Sequence, residues 1–251
     1  MTIGAFVVAR LSSSRLPRKN ILGILGKPMI ELMAERVQAS RLIDKVVIAT
    51  STLPSDDPLE ELAGRLGIGC YRGSLDNIME RITGAANIYQ CDIIVELLGD
   101  NPLVHAALID DVITFFRNGE YDYAATITRE YPVIDSEKKL FSLGVRVQVY
   151  SAAVGHKYPD YPEYIGNESK HPCAYIFDHP DRFRIGYFEA TGKWAFMNRP
   201  ELTFAVNHRK NFELIRSIFE RNYINDRNFS LEKVYEQLDT QKYLYLLMGN
   251  E

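Results

Sequence analysis

One pattern recurs along the chain: a short apolar run rich in β-branched residues, a turn, then apolar residues at helical spacing. Residues 3–8 (IGAFVV), 45–50 (KVVIAT) and 92–98 (DIIVELL) are such runs. Nearly unbroken apolar strands suit a parallel sheet, because its crossover helices cover both faces. After Pro28 come Ile30, Met33, Ala34 and Val37 at i, i+3, i+4 and i+7. Leu59, Leu62, Ala63 and Leu66 follow Asp57-Pro58, with Asp57 read as the N-cap and Pro58 as the first helical residue. Ile78, Ile82, Ala85, Ala86 and Tyr89 form a third helical pattern, and residues 108–116 a fourth. Strand and helix therefore alternate to about residue 126, which predicts an α/β fold built on a doubly wound, mostly parallel sheet.

From about residue 128 the rhythm changes. Residues 158–175 (YPDYPEYIGNESKHPCAY) are crowded with Tyr, Pro and His, and 142–151 (SLGVRVQVYS) alternate like an exposed or antiparallel strand. The expectation is a smaller lobe inserted at about 128–200 within a single domain covering 1–251. The α/β pattern resumes with a strand at 202–206 (LTFAV) and a helix through Phe212, Ile215 and Phe219.

Charge and cysteine content exclude several classes. A formal net charge of -4 argues against a general nucleic-acid or membrane-surface binder, so any basic site is local. Cys70, Cys91 and Cys173 are widely spaced and odd in number, which suggests neither a disulfide framework nor a zinc site. No run approaches the ~18 apolar residues of a membrane span, and residues 3–9 are too short and lack the basic leader of a signal peptide. The expectation is a cytoplasmic protein with neither membrane nor nucleic acid as partner.

The local basic site stands out. The stretch VVARLSSSRLPRK at 7–19 brings Arg10, Arg15, Arg18 and Lys19 together with Ser12, Ser13 and Ser14 just past the first strand. In an open parallel sheet the ligand crevice lies at the carboxyl ends of the strands. Backbone N–H groups and hydroxyls there can cradle phosphate oxygens, and Arg and Lys can neutralise them. A triphosphate would use all of these groups; the alternative for such a cluster alone is a solvated basic loop.

Five ordered blocks carry a resemblance: ARLSSSRLPRK, GKPMIELMAERV (26–37), VVIATST (46–52), YRGSLDNIMER (71–81) and LLGDNPLV (97–104). Together they resemble the cytidylyltransferases that activate sugar acids as CMP-sugars. The likeness is nearest to the spore-coat polysaccharide branch, alongside the 3-deoxy-manno-octulosonate and acylneuraminate enzymes. It resumes at HPCAYIFDHPDRFRI and at LTFAVNHRKNFELIRSIFE. The resemblance implies a Rossmann-like nucleotidyltransferase fold, a homodimer, and transfer of CMP from CTP to a small anionic acceptor with release of pyrophosphate.

It also implies roles. Arg10, Arg15 and Lys19 match the basic positions that bind the triphosphate and support departure of pyrophosphate, and Ser13 matches the loop's serine. Ala9, Arg10, Leu11, Ser13, Ser14, Arg15 and Lys19 are thus candidate nucleotide-binding residues, with Ser74, Asp76, Arg81 and Gly99. Without the resemblance, Ser74 or Asp76 would be helix caps and Arg81 a solvated side chain. The family loop usually has Gly where this chain has Arg18, a change that could alter loop geometry or add a phosphate contact. His171 and Tyr175, with Arg182, match a segment that approaches the acceptor or the dimer partner. Arg146 and Gln148 stand at acidic positions of the nearest branch and join the candidate acceptor-binding set.

Asp100, in GDNP after the apolar run, matches the family's metal-binding aspartate. Mg²⁺ takes one or two carboxylates plus substrate phosphates, so a carboxylate at the crevice suits it. In related enzymes a second metal-binding Asp follows the strand matching LTFAV; here that position is Asn207, whose amide oxygen can ligate but brings no charge. Two rival functions remain at this stage. One is a nucleotide-binding module without catalysis. The other is a nucleotide-sugar-dependent glycosyltransferase, which should carry a D-x-D pair where GDNP offers one aspartate. The four tyrosines Tyr158, Tyr161, Tyr164 and Tyr175 further suggest that a dimer forms through 135–180, since aromatic enrichment marks interfaces.

Overall fold

A computed structural model describes residues 1–130, 137–165, 171–241 and 243–248. The apolar runs form strands and the spaced patterns form helices: β1 (Ile3–Val8), a small hairpin of β2 (Gly23–Ile24) and β3 (Lys27–Pro28), α1 (Met29–Gln38), β4 (Lys45–Ser51), α2 (Asp57–Leu66), β5 (Gly69–Gly73), α3 (Ile78–Ile88), β6 (Ile93–Leu98), α4 (Ala106–Asn118) and β7 (Tyr123–Thr126). After these come β8 (Gln148–Ser151), α5 (Ala152–Gly155), α6 (Ala174–Phe177), β9 (Ile185–Phe188), α7 (Arg209–Asn222), α8 (Leu231–Thr240) and α9 (Tyr243–Leu246).

Seven strands make one sheet in the order β5-β4-β1-β6-β8-β7-β9. β5, β4, β1 and β6 run parallel, β8 is antiparallel to both of its neighbours, and β9 is parallel to β7. The mostly parallel, doubly wound expectation is met. Successive residues of the central strands feed opposite cores, as a two-faced sheet requires. Ala5, Val7, Val95 and Leu97 join the core that also contains residues of α1, α2, α4, α7 and α8. Phe6 and Ile94 join a second core with residues of α3 and the tyrosine-rich segment.

Three expectations change. The strands of segment 128–200 lie in the same sheet: β8 inserts between β6 and β7, and β9 closes the far edge. The alternation in 142–151 is that of an antiparallel strand, yet residues 145–150 are all buried, because helices cover both faces there. Residues 202–206 form no sheet strand but an extended strap. It is fastened to Leu143 (Leu143 N–H to Leu202 O, 3.0 Å; Phe204 N–H to Leu143 O, 2.8 Å) and to Asp100 (Val206 N–H to Asp100 O, 2.8 Å). Gly144, at φ +87°, makes that approach possible, since a Cβ there would lie 2.2 Å from Ala205 N.

The tyrosines also resolve differently. Tyr158, Tyr161, Tyr164 and Tyr175 are buried in the second core, with Tyr161 and Tyr175 ring centroids 5.1 Å apart. Their hydroxyl needs are met internally where Tyr158 donates to Tyr164 O and Tyr175 to Val154 O. The aromatic enrichment that suggested a dimer surface is therefore accounted for within one chain. No helix among the described residues is long and apolar enough to cross a membrane.

Candidate active site

The chain leaves β1 at the carboxyl ends of the sheet and loops through 9–18 before a 3-10 turn at Lys19–Ile21. The loop is pinned at its base, where Leu11 N–H donates to Asp56 Oδ1 (2.8 Å) and Arg18 N–H to Leu11 O (3.0 Å). Arg18 adopts a left-handed conformation, φ 57° and ψ 23°. A glycine reaches that conformation without penalty, whereas any side chain costs about 1 kcal/mol. The arginine thus follows the path a glycine would take, and its side chain is exposed.

This loop forms one wall of a cleft of about 240 Å³. Arg10, Ser13, Ser14, Arg15 and Lys19 line it from the loop, Arg81 from α3, and Asp100 from the end of β6. Gly99 lets the two strand ends converge, since a Cβ there would lie 3.0 Å from both Val8 O and Ala9 Cβ. A larger hollow of about 390 Å³ lies at the opposite ends of β4 and β5. Its one lysine, Lys45, is tied to Tyr89 O, so it lacks a cationic cluster to gather phosphates.

Arg81 is buried rather than solvated. It donates to Ser74 O (2.7 Å) and Leu75 O (3.2 Å), which shapes the turn before α3. Burial and the nearby Arg10 pull its pKa down to about 10. The cap of α3 is neither Ser74 nor Asp76 but Asn77, which accepts from Glu80 N–H at 2.9 Å. Ser74 Oγ instead accepts from Asn77 N–H, and Asp76 is exposed.

Lys19 is buried, and its ammonium donates to Asp100 Oδ2 (2.6 Å) and to Val206 O (2.8 Å). Asn207 follows Val206, the residue whose backbone is bonded to Asp100, and does not itself line the cleft. Asn207 Oδ1 is buried without a hydrogen-bond partner among the described residues. An Asp carboxylate and an orphaned amide oxygen are hard-oxygen donors of the kind that Mg²⁺ takes. Behind Asp100, the buried Arg36 guanidinium donates to the Val104 and Phe229 carbonyls (3.1 and 3.2 Å), tying the loop after Asp100 to the α7–α8 connection.

Just before β8 and outside the lining of the cleft, Arg146 Nη2 donates to Gln148 Oε1 (2.8 Å) and lies 2.5 Å from His171 Nε2. His171 Nδ1 accepts from Cys173 N–H at 3.1 Å. Burial and Arg146 hold His171 well below the ordinary histidine pKa. Glu96 sits opposite Gln148 in the β6–β8 register and accepts from the Tyr150 hydroxyl at 2.9 Å. Burial pushes its carboxyl up against the opposing pull of Arg146. Tyr175 does not reach this cluster with its hydroxyl, which is bonded to Val154 O. Arg182 is exposed.

The match extends over nearly the whole chain: a family profile described as cytidylyltransferase covers residues 5–246. The chain belongs to the cytidylyltransferase family. It is 24% identical over 221 residues to the spore coat polysaccharide biosynthesis protein SpsF of Bacillus subtilis, covering 86% of this chain and 85% of that one. It is 35% identical over 115 residues to the 3-deoxy-manno-octulosonate cytidylyltransferase of Geobacter sulfurreducens, covering 45% of this chain and 44% of that one. A cytidylyltransferase structure from Leptospira borgpetersenii superposes with a TM-score of 0.85 at 22% identity, covering 100% of this chain and 98% of that one, which shows a shared fold.

As a CTP-dependent nucleotidyltransferase, this cytidylyltransferase gathers most of the expected residues in one place. Ala9, Arg10, Ser13, Ser14, Arg15, Lys19, Arg81 and Asp100 line the cleft. Leu11 is buried behind it, Ser74 meets it through a carbonyl bound by Arg81, and Asp76 stands outside. Sequence reasoning missed Asn20, Leu75 and Ile78, which also line the cleft. Asn20 was discoverable as the residue after Lys19, whereas no spacing in the sequence singles out Leu75 or Ile78.

Proposed function

We propose that the chain transfers CMP from CTP to a small sugar acid or similar anionic acceptor, releasing pyrophosphate, in the cytoplasmic synthesis of surface polysaccharide or glycoconjugate. One observation carries this reading: three loop cations and Arg81 share a cleft with Asp100 at the carboxyl ends of β1 and β6. In this reading the acceptor oxygen attacks the α-phosphorus in line and the pyrophosphate oxygen leaves. Arg10, Arg15 and Lys19 bind the charge that grows on the leaving group, and such preorganised donors supply most of the catalysis available to a phosphoryl-type transfer. Asp100 and Asn207 would hold Mg²⁺, which when bound would neutralise phosphate oxygens.

The acceptor reading draws on the buried positive charge of Arg146, which lies against Gln148 and His171. A buried guanidinium holds an anionic oxygen more strongly than a neutral one, because its hydrogen bonds are charge-assisted. The test is pyrophosphate release with each of the four nucleoside triphosphates against a panel of sugar acids and their neutral, reduced analogues. Turnover confined to CTP and to acids supports the proposal. Turnover with a different nucleotide, or with neutral analogues equally well, overturns it.

A further inference from the structure

Asp56 is the N-cap residue of α2, yet its side chain makes no capping bond to that helix. A capping Asp is worth about 1 kcal/mol, so the carboxylate is engaged elsewhere at some cost. It is wholly buried and turned toward the first loop. Oδ1 accepts from Leu11 N–H (2.8 Å). Oδ2 accepts from the Thr50 hydroxyl (3.1 Å), the Ser51 hydroxyl (2.5 Å) and Ser51 N–H (3.3 Å). One carboxylate thus staples the loop that begins with Arg10 to the end of β4. Burial alone would push its carboxyl up, but these bonds hold it below the ordinary carboxylate value.

We propose that Asp56 is a positioning residue for nucleotide transfer: Oδ1 fixes Leu11 N–H, and with it the arc from Arg10 to Arg15, in the geometry that receives the triphosphate. The inference rests on the reading of that loop as the triphosphate site. Leu11 adjoins Arg10 and lies two residues before Ser13, so release of its N–H frees the loop at its base. The three bonds on Oδ2 act on the other side of the carboxylate and anchor it to β4. A misplacement of about 1 Å can cost catalytic groups about 100-fold, so a single anchor at the base of a phosphate loop has leverage on the site.

The test is calorimetric titration of CTP into four proteins, each paired with its Tm: wild type, Asp56→Asn, Thr50→Val and Arg15→Ala. Thr50→Val removes one bond to Oδ2 and leaves the Leu11 bond in place, so it reports what loss of stability alone does to binding. The expected result is a CTP Kd raised on the order of tenfold in Asp56→Asn and in Arg15→Ala, with Thr50→Val binding like wild type despite a lower Tm. Normal CTP binding by folded Asp56→Asn, with Arg15→Ala weakened, overturns the role of Asp56 and leaves the loop reading standing. Normal binding by Arg15→Ala removes the loop reading itself. Equal weakening in Asp56→Asn and Thr50→Val reduces Asp56 to a structural contact. If Asp56→Asn does not fold, amide hydrogen exchange on the wild type decides: the proposal requires a protected Leu11 amide in the unliganded protein, and an unprotected one overturns it.

Discussion

At the scale of the residue, the contact between Lys19 and Asp100 sets the chemistry. The ammonium occupies one oxygen of the only acid that lines the cleft among the described residues, and it also holds the strap through Val206 O. A divalent ion held at Asp100 would therefore share its ligand with an internal cation, and Asn207, as a second protein donor, would contribute an oxygen without charge. Asn207→Asp is expected to tighten apparent Mg²⁺ binding by about tenfold, since a second carboxylate adds a full unit of attraction at close range. The measurement is Mg²⁺ titration of the CTP-bound protein by calorimetry, with turnover followed alongside. An inactive wild type rescued by Asn207→Asp would favour a nucleotide-binding module over an enzyme. Single residues differ in how far sequence exposes them. The basic loop was legible because four cations within ten residues have few other uses. Asp56 was not: the sequence pattern puts the cap at Asp57, one residue past its true place, and nothing in it gives the direction of the Asp56 carboxylate.

Among elements, the strap at 202–206 governs the site more than any helix does. Its apolar run reads as a strand, but β8 has already taken the place beside β6, so the segment crosses the strand ends and bonds Val206 to Asp100. Gly144 is its seat. Gly144→Ala is expected to lower stability by at least about 2 kcal/mol in denaturant titration, because it adds both left-handed strain and a backbone clash. Gly64→Ala provides the contrast: it lies inside α2 with nothing near its missing Cβ, and should stabilise the protein by about 0.5–1 kcal/mol. Sequence pattern found β1, β4 and β6 because each is a continuous apolar run. It passed over β5 and β9, whose short stretches GCYRG and IGYF carry glycines and polar or aromatic side chains with no run to detect. The tyrosine-rich segment misled for a related reason: tyrosine suits an interface and a core equally well when its hydroxyl finds a carbonyl.

For the whole molecule, acid is the expected weakness. His105 caps α4 by accepting from Ala107 N–H at Nδ1 and lies 3.2 Å from Asn228 O through Nε2, a pattern only the neutral ring completes. Burial and the nearby Arg36 draw its pKa from 6.5 to about 4, and burial and Arg146 likewise hold His171 well below the ordinary histidine value. An imidazole kept neutral by folding binds fewer protons than it does in the unfolded chain. Stability is therefore complete above pH 6.5 and drains away as pH falls toward 4. A Tm series over that window should show this decline. His105→Asn, which can still cap α4 but cannot titrate, should make the series shallower.

The boundary of the sheet carries a different lesson. The Tyr89 hydroxyl accepts from Cys70 N–H and donates to Cys70 O, both at 2.9 Å, so the exposed rim of β5 is stoppered by a side chain from the end of the following helix. Rims of this kind otherwise invite strands from other molecules to add on and grow into aggregates. With β5 closed by its own phenol, β9 at the other end is where a further strand could join. A cytidylyltransferase built this way can be extended in one direction, and its crowded, newly made copies have one face fewer by which to mistake each other for partners.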